Sequence, residues 1–456
     1  MTRDGTPSRV NPRLVRSYDL RGVVGRDLTE ADARALGLRV AGAVPGGRVA
    51  VGYDGRLSSP ALAAALCDGL AAGGAVAVPV GLGPTGMLYF AVHAQGCDAG
   101  VMVTGSHNPA DQNGFKTVIG GAPVFGAALR ALVEREAVAQ DGGSIAPAEV
   151  TEAYVARLVE ASAGAGPLRV GWDPGNGAAG AVLTQLVARL PGEHWVINGA
   201  VDGRFPAHHP DPSVPQNLAQ LQVLVREERL DLGIAFDGDG DRIGVVDDSG
   251  AIVWPDQLLL LLAHDMLRHH PGAAIVADVK SSRVLFDGIA AAGGRAVLSP
   301  SGYVIVREEM LREGAPLAGE MSGHIFYADH WYANDDALHV AMRLLAALRR
   351  SGQSLAAFRS ALPETFATPE LRLPCPDDAK AAVLQAVAEG LVGAEVDRTD
   401  GLRVTTPEGW WLLRASGTEP KLTARVEAWS ADGLERLRGD LFARLSAAGW
   451  SDAPSA

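Results

Sequence analysis

Residues 49–55 read Val49-Ala50-Val51-Gly52-Tyr53-Asp54-Gly55, an apolar run that ends at an aspartate followed by glycine. The pattern recurs at 168–175 and 274–282, and its aspartates are 119 residues apart (54 to 173) and then 105 (173 to 278). Alanine-rich segments of helical period follow each run, as at 59–72. Alternating strands and helices predict mainly parallel sheets with helices outside, and the recurrence predicts three α/β domains of similar plan.

The last part of the chain has a different pattern from about residue 370 onward. It predicts strands at 402–405, 410–413 and 421–429 and a helix at 434–448, which is typical of a smaller α+β domain. We therefore expect four domains. Their predicted bounds are 1–148, 149–251, 252–365 and 366–456.

Composition excludes several classes of function. The formal net charge of −13 argues against nucleic acid as a general partner, and it requires any site for an anion to concentrate its cations locally. The three cysteines are far apart and lack CxxC spacing, which argues against a disulfide scaffold or zinc site and favours a reducing cytoplasm. No apolar leader starts the sequence and no apolar run could span a bilayer, so we expect no membrane partner.

A serine loop follows the apolar run 99–103 and reads Thr104-Gly105-Ser106-His107-Asn108-Pro109. A serine on a tight loop at the end of a strand can carry a group to and from a substrate. On its own the loop is more typical of an ordinary turn, because Gly-Ser and Asn-Pro both mark turns. It is not a lipase elbow, since Asn108 stands where the second glycine is needed. Lys116 returns to the same region a few residues later.

An acidic loop, Asp237-Gly238-Asp239-Gly240-Asp241-Arg242, follows the strand-like run 232–236. Three carboxylates that converge need a positive partner, and oxygen-only ligation of this kind suits Mg²⁺. A calcium EF-hand is a poor match, because Arg242 occupies the glycine position, Asp248 replaces the last glutamate, and a strand precedes the loop. Metal binding is therefore favoured over a solvated acidic turn.

Two further loops suit the binding of a sugar phosphate. Gly319-Glu320-Met321-Ser322-Gly323-His324 presents a carboxylate, a hydroxyl and an imidazole at alternate positions, which could grip sugar hydroxyls and relay protons. Arg414-Ala415-Ser416-Gly417-Thr418-Glu419-Pro420-Lys421 offers an arginine, hydroxyls and backbone amides to a phosphate. Taken singly, the first is equally typical of a surface turn and the second of a plain hairpin.

The four loops, in this order, resemble those of the α-D-phosphohexomutases, most closely the bacterial phosphomannomutase/phosphoglucomutase branch. Further matches are Tyr18-Asp19-Leu20-Arg21-Gly22, Asp173-Pro174-Gly175-Asn176-Gly177, residues 205–212 and Asp335-Asp336. The resemblance covers essentially the whole chain. It implies a four-domain protein with one loop from each domain lining a central cleft.

The resemblance also implies an activity and roles for the residues. The activity would be the interconversion of hexose 6- and 1-phosphates, of mannose and also of glucose, through a phosphoserine and a hexose 1,6-bisphosphate. Ser106 would carry the phosphoryl group and bind Mg²⁺ with Asp237, Asp239 and Asp241. The residues implied beside them are Arg21, His107, Lys116, Arg242 and His324 in catalysis; Tyr18, Lys280, Tyr303, Glu320, Ser322 and His324 at the sugar; and Arg414, Ser416, Gly417 and Thr418 at the distal phosphate.

Some positions depart from the family pattern. Tyr53 stands where arginine is common, Tyr303 where this branch usually has histidine, and Gly417 where it often has asparagine. The glycine form also occurs in phosphoglucosamine mutases, which usually have glutamine where Met321 stands here. Phosphoglucosamine mutase is therefore an alternative, and a Mg²⁺-dependent sugar phosphatase and a sugar-phosphate-binding regulator are rivals of other classes. Lys116 and His324 are both candidates for the acid/base, and we expect a monomer or dimer.

Overall fold

Four β-sheets divide the chain into successive units. The computed structural model describes residues 9–391, 395–417 and 420–451. The first three sheets are flanked by helices and the fourth is an antiparallel sheet, which confirms the predicted fold class of three α/β units and a smaller α+β unit. Thr418 lies outside the described residues. The exact domain bounds stay predictions.

The first unit has a seven-stranded sheet with the order β1-β5-β4-β2-β3-β7, and β6 pairs with β5. Its strands are β1 (Leu20–Val23), β2 (Arg48–Tyr53), β3 (Val76–Leu82), β4 (Ala99–Val103), β5 (Gln112–Ile119), β6 (Ala122–Pro123) and β7 (Ser144–Ile145). Its helices are α1 (Glu30–Ala43), α2 (Ser59–Ala72), α3 (Thr85–Ala94) and α4 (Gly126–Glu134), and a 3₁₀ turn at Pro12–Leu14 precedes them.

The second and third units each have a five-stranded sheet, ordered β12-β11-β10-β8-β9 and β14-β13-β15-β16-β17. The second contains α5 (Thr151–Ala161), β8 (Leu168–Asp173), α6 (Gly180–Val187), β9 (Gly192–Val196), a 3₁₀ turn (Pro215–Leu218), α7 (Ala219–Glu228), β10 (Leu232–Phe236), β11 (Ile243–Asp247) and β12 (Ile252–Val253). The third contains α8 (Pro255–His269), β13 (Ala274–Asp278), α9 (Arg283–Ala291), β14 (Arg295–Ser299), α10 (Tyr303–Arg312), β15 (Leu317–Gly319), β16 (Ile325–Tyr327), β17 (Asn334–Asp335), α11 (Ala337–Ser351) and α12 (Leu355–Ala361).

The fourth unit is a six-stranded sheet ordered β18-β23-β22-β21-β20, with β19 also paired to β23. Its elements are β18 (Phe366–Ala367), β19 (Leu371–Pro374), α13 (Lys380–Glu389), β20 (Glu395–Asp397), β21 (Leu402–Thr406), β22 (Gly409–Ala415), β23 (Lys421–Ala428) and α14 (Ala431–Ala447). Among the described residues, no helix combines the length and apolar composition that crossing a bilayer requires.

The three repeated apolar runs form equivalent central strands, β2, β8 and β13. Each pairs in parallel with a strand that enters a candidate site loop, namely β4, β10 and β15. That loop then returns through an antiparallel partner, β5, β11 or β16. The sheets are therefore mixed rather than mainly parallel, because each site loop is the turn of a hairpin instead of a connection to a helix.

A single apolar core joins the first three units. It includes Leu88 of α3, Tyr154 of α5, Leu262 of α8 and Leu345 of α11, all of them buried. Burial of this continuous apolar surface is the main favourable contribution to holding the three sheets together. The fourth unit has a separate core around Trp411 and joins the third through a small cluster that includes Trp410.

Helices α1 and α2 cross so closely that two glycines are required at the contact. A methyl group on Gly37 would overlap the carbonyl oxygen of Leu66, and one on Gly69 would overlap that of Arg34. Both obstacles are backbone atoms, so a side chain there cannot be accommodated by a rotamer change. By contrast, Gly439 in α14 is exposed and has no atom within 4 Å of the same position.

We expect Gly69→Ala to destabilise the first unit by about 1–3 kcal/mol, because the two helices must move apart. The control Gly439→Ala should stabilise α14 by about 0.5–1 kcal/mol through helix propensity alone. Hydrogen–deuterium exchange of the amides of α1, α2 and α14 reads the two effects separately. Equal protection of α1 and α2 in wild type and Gly69→Ala would contradict the predicted close contact.

Candidate active site

Ser106 lies in the turn between β4 and β5 with a left-handed backbone, φ +48°. Such a conformation is uncommon for a residue with a side chain, and its cost must be offset by the surroundings. The backbone amide of Ser106 donates to the Thr104 hydroxyl at 2.7 Å, and the amide of Asn108 donates to Gly105 O at 2.9 Å. The loop therefore presents the Ser106 hydroxyl in one fixed direction.

Arg56 and Asp54 hold this loop in place through hydrogen bonds. The buried guanidinium donates to the carbonyl oxygens of Ser106 and Asn108 at 2.7 and 2.6 Å, and it also reaches those of Pro109 and Gln112. Asp54 accepts from the Thr104 hydroxyl at 2.8 Å and from the amide of Gly105 at 3.1 Å. The rigid fork of arginine suits several fixed carbonyl acceptors at once.

The acidic loop begins where β10 ends and curls so that its three carboxylates converge. One oxygen of Asp237 accepts from the amides of Asp241 and Arg242 at 3.0 and 3.1 Å, while Gly240 has φ +71°. The other oxygen of Asp237 accepts from the Ser106 hydroxyl at 2.8 Å. A hydrogen bond thus joins the serine loop of the first unit to the acidic loop of the second.

Lys116 of the first unit also contacts the acidic loop of the second unit, and its charge makes the pKa values of the carboxylates differ. Its ammonium donates to Asp239 at 2.7 Å and to Asp241, while the Thr85 hydroxyl also donates to Asp239 at 2.7 Å. Burial and the neighbouring Asp241 and Asp239 raise the pKa of Asp237 well above its usual range. Burial opposes the charge of Asp239 as well, but Lys116 outweighs it and lowers the pKa of Asp239. The two carboxylates hold the pKa of Lys116 well above normal despite burial.

The donor set fits a divalent cation. Carboxylate oxygens of Asp237, Asp239 and Asp241 lie within 4.8 Å of one another, and all three residues are buried. One oxygen of Asp239 and one of Asp241 are buried without a hydrogen-bond partner in the described part of the chain. An unsatisfied buried carboxylate oxygen is costly, so both are available as ligands. The acidic group could therefore hold a metal ion, with ligands of the type that Mg²⁺ prefers.

A ring of cations surrounds the serine and the carboxylates. Arg21 is bound to Asp19 at 2.7 Å and donates to Thr104 O at 2.7 Å. The Nδ1 of His107 lies 3.1 Å from the Ser106 hydroxyl. The positive charge of Arg242, together with burial and Arg21, lowers the pKa of His107 well below its usual value, so its imidazole is neutral at neutral pH.

His324 links the sugar-type loop of the third unit to the acidic loop. Its Nε2 lies 3.1 Å from Nε of Arg242, and its Nδ1 lies 2.8 Å from Asp335. Arginine can only donate, so Nε2 accepts and Nδ1 carries the proton that goes to Asp335. Both ring nitrogens of His324 are therefore engaged.

Glu320 and Ser322 form a cluster of their own with Gly302. The Ser322 hydroxyl donates to Glu320 at 3.0 Å, and the amide of Gly302 donates to the other carboxylate oxygen at 2.6 Å. The ring of Tyr303 stacks on His324 with centroids 5.4 Å apart and meets the edge of Tyr18 at 5.9 Å. Tyr303 thus lies between the acidic group and the sugar-type loop.

The fourth loop lies next to the first and third units. Arg414 is bound to Asp400 at 2.7 Å, and Asp400 also accepts from the amide of Ser301 at 3.0 Å. The Ser17 hydroxyl donates to Gly417 O at 2.7 Å, and Lys380 donates to Ser416 O at 2.8 Å. Lys280 lies 3.7 Å from Asp278. Contacts thus link many of the predicted site residues to one another, namely Ser106, His107, Lys116, Asp237, Asp239, Asp241, Arg242, His324, Tyr303 and Tyr18. Arg414, Ser416, Gly417 and Lys280 contact other residues.

Several residues of this arrangement were not singled out from the sequence as site residues. They are Asp19, Arg56, Thr85, Thr104, Asp335 and Asp400, each of which bonds to a predicted site residue, and Asp54, which bonds to Thr104 and Gly105 of the serine loop. The recurring aspartate at the end of an apolar run was a usable signal for Asp54. For Thr85 and Asp400 the sequence offers no signal, because their partners are 154 and 14 residues away in other loops.

Asp336 is the residue next to Asp335 and starts helix α11. Its carboxylate accepts from the amides of Leu338 and His339 at 3.1 Å and from the Tyr154 hydroxyl at 2.9 Å. Burial raises the pKa of Asp336 to about 7. The second unit is thus joined to the third by a carboxyl group that titrates near neutrality.

Models of protein families match the four units in turn. The phosphoglucomutase/phosphomannomutase α/β/α domains I, II and III match residues 12–141, 152–250 and 254–366, and the C-terminal domain of the same proteins matches 370–444.

Relatives and solved structures match over nearly the whole length. The phosphomannomutase/phosphoglucomutase of Pseudomonas aeruginosa strain PAO1 is 41% identical over 434 residues, 93% of this chain and 94% of the relative. A phosphoglucomutase of Neisseria gonorrhoeae is 39% identical, over 93% of this chain and 95% of its own. The crystal structure of a phosphoglucomutase/phosphomannomutase family protein from Burkholderia thailandensis is 38% identical, with a TM-score of 0.91, over 97% and 99% of the two chains.

We expect the stability that Asp336 contributes to be lost as pH rises from about 4 to about 7. Its pKa is raised in the folded protein, so folding favours the protonated form, which is present below pH 4 and lost as pH passes 7. One pKa unit is worth about 1.4 kcal/mol, so the change amounts to a few kcal/mol. Urea unfolding between pH 4 and pH 8 measures it.

The matched variant is Asp336→Asn, which can still cap α11 but does not titrate. Its free energy of unfolding should decline less than that of the wild type over the same pH range. A difference between the two proteins that stays constant with pH would show that Asp336 ionises normally.

Proposed function

The chain belongs to the phosphoglucomutase/phosphomannomutase family and is a hexose phosphate mutase, an isomerase; from this we propose that it interconverts the 6- and 1-phosphates of mannose and of glucose. The observation that carries the proposal is the Ser106 hydroxyl at 2.8 Å from Asp237, inside a buried group of three carboxylates and several cations. Phosphoryl transfer depends mostly on positioning and on neutralising charge, and this arrangement provides both.

Ser106 is proposed to be the residue that carries the phosphoryl group. In the transfer, the bond between phosphorus and the Ser106 oxygen breaks while a bond forms to the free hydroxyl of the hexose monophosphate. The proton of that hydroxyl passes to the Ser106 oxygen, which becomes a hydroxyl again, and a hexose 1,6-bisphosphate results. The bisphosphate then turns over and returns its other phosphoryl group to Ser106. The hydrogen bonds of Arg56 and Asp54 to the serine loop support this role, because they would keep the Ser106 hydroxyl in one orientation during both transfers.

Asp237, Asp239 and Asp241 are proposed to hold Mg²⁺ together with an oxygen of the phosphorylated Ser106. When bound, the ion would neutralise charge on the phosphoryl group. The unpartnered oxygens of Asp239 and Asp241 support the assignment. Arg21 and Arg242 lie beside the same group and would offset further charge on the phosphoryl oxygens.

Lys116 is proposed to act as the acid that donates to the reacting oxygen, in preference to His324. An ammonium has three N–H donors, and Asp239 and Asp241 take two of them. The third is left for an oxygen of the substrate. In contrast, both ring nitrogens of His324 are engaged, by Arg242 and by Asp335. His324 would then orient Arg242.

The sugar and its second phosphate are proposed to lie against the third and fourth units. The Glu320 carboxylate, already fixed by Ser322 and Gly302, would accept from two sugar hydroxyls, and Tyr18 and Tyr303 would enclose the ring. Arg414, Ser416 and Gly417, with Lys280, would bind the phosphate that is not being transferred. A distal site that takes either end of the bisphosphate supports the turnover of the intermediate. We also propose that the protein acts in the cytoplasm, and its three free cysteines support this location.

The test is a parallel assay of mannose, glucose and glucosamine 1-phosphates with Mg²⁺ and a trace of the matching 1,6-bisphosphate. We expect 6-phosphates from mannose and glucose, and loss of at least about a thousandfold in kcat for Ser106→Ala, because no phosphoryl group can be carried. Conversion of glucosamine phosphate alone would identify a phosphoglucosamine mutase instead. Release of inorganic phosphate that survives in Ser106→Ala would identify a phosphatase.

Mg²⁺ should raise the unfolding temperature of the wild-type protein, because a ligand that binds only the folded state stabilises it. Asp239→Asn should lose most of this rise, since it removes a charged ligand. Asp68→Asn, an exposed position on α2, should keep it. Thermal unfolding with Mg²⁺ and with EDTA measures the effect, and an equal rise in all three proteins would place the ion elsewhere.

A further inference from the structure

A second polar cavity lies behind the candidate active site, at the junction of the second and third units. Its volume is about 530 Å³, within the range of ligand pockets. Helices α5, α8 and α11 and the loop after β16 form it, and no residue assigned above to phosphoryl transfer lines it. Four of the chain's 11 histidines and three arginines are in the lining, against two acidic residues. In a chain of net charge −13, this is a local excess of hydrogen-bond donors suited to anions.

The contacts of Asp329 show that hydrogen-bond donors outnumber acceptors in the lining of the cavity. Its carboxylate receives Arg343 at 2.9 Å and His270 at 3.1 Å, and His330 lies 3.7 Å away. Three basic side chains therefore share one acidic neighbour, the carboxylate of Asp329. Arg343 has five N–H donors and places its guanidinium over the ring of Tyr327, 4.8 Å from the centroid. Donors remain for a second anion beside Asp329.

His339 forms the floor of the cavity. The residue is 1% exposed, and its ring lies flat on Trp331 with centroids 4.0 Å apart. Its ring nitrogens make no hydrogen bond to any residue within the described ranges. A buried imidazole usually finds a partner, so this one is available to a ligand in the cavity. Burial, followed by the charges of Arg343 and Arg157, lowers the pKa of His339 well below its usual value.

Two of the arginines in the lining already have acidic partners of their own. Arg350 makes a paired contact with Asp265 at 2.7 and 2.6 Å. Arg157 lies 3.1 Å from Glu160 and donates to the carbonyl of His330. The donors that remain are Arg343 and His339 inside, His270 and His330 at the mouth, and the exposed His269 at the end of α8.

We propose that this cavity binds a small phosphorylated anion, held by Arg343 and His339 on the floor and by His270 and His330 at the mouth. Arginine and imidazole donors together are typical of phosphate recognition. Among the described residues that line the cavity, the only apolar side chains are two alanines. The site spans α5 of the second unit and α8 and α11 of the third, so the anion bridges the two units. The proposal does not depend on the assigned sugar substrate.

Titration calorimetry with pyrophosphate at low ionic strength tests the proposal. The Arg414→Gln protein removes a cation of the catalytic cleft, and we expect it to keep one binding component. Arg343→Gln in the same background should weaken that component about tenfold, because it removes charged donors. No binding in Arg414→Gln, or binding unchanged by Arg343→Gln, would overturn the proposal. Citrate that binds where pyrophosphate does not would overturn the assigned phosphate class.

Two exposed positions keep the test valid if Arg343→Gln fails to fold. The side chain of His330 is 85% exposed, so His330→Gln should fold normally and weaken pyrophosphate binding several-fold. Glu160→Gln removes a negative charge at the rim and should strengthen binding. Glu152→Gln, equally exposed on α5 but outside the cavity, is the control and should change nothing. Equal affinity in all three variants would mean that pyrophosphate binds elsewhere.

Discussion

The assembly depends on one buried group of charges, in which the Lys116 ammonium is shared by Asp239 and Asp241. Lysine comes from the first unit and the carboxylates from the second, so the ion pairs also set how the two units meet. Burying three carboxylates together is strongly unfavourable unless cations or a metal accompany them. Removing one partner of such a pair leaves an uncompensated charge and typically costs about 3–5 kcal/mol. The geometry of the site is therefore inseparable from the docking of these units.

Three further hydrogen bonds also connect residues of different units. Ser17 of the first unit donates to Gly417 of the fourth, Ser301 of the third donates to Asp400 of the fourth, and Arg307 of the third reaches Gly121 of the first. Each joins polar groups of two different units. Four separately folded sheets can thus present four loops to one place, while the shared apolar core holds three of them rigidly.

The repeated strand plan explains why the loops are suited to chemistry. In each α/β unit the site loop is a hairpin turn beside the central strand, so its backbone is held by two strands. In the first and third units the aspartate that ends the central strand also holds the site loop: Asp54 accepts from Gly105, and Asp278 accepts from Met321. A reacting side chain on such a loop loses little freedom on binding, which favours transfer at a fixed distance. The left-handed Ser106 is tolerated because these bonds outweigh its strain.

Local pattern was enough to predict the four units, their three repeated central strands and the strands that lead into the serine and acidic loops, because alternating apolar runs and helical periods report on near neighbours along the chain. Singly, the serine, sugar-type and phosphate-type loops were no more typical of a site than of an ordinary turn. Their joint occurrence with the acidic loop, in an order that resembles the α-D-phosphohexomutases, selected them. The hairpin return of β5, β11 and β16 was missed, because periodicity does not indicate strand direction. Arg56 was missed as well, since its acceptors are backbone carbonyls, which any residue can supply.

Sequence by itself determined which residue types are available for phosphoryl transfer and the order in which the chain offers them. Only the tertiary structure decided which of them meet: that Ser106 bonds to Asp237, that Lys116 keeps one donor free, and that His324 is engaged at both nitrogens. The tertiary structure alone likewise formed the polar cavity between the second and third units, because its lining residues come from helices far apart in the chain. The physical reason is that local propensity acts over a few residues. Hydrogen bonds and charges act through space, between segments that folding alone brings together.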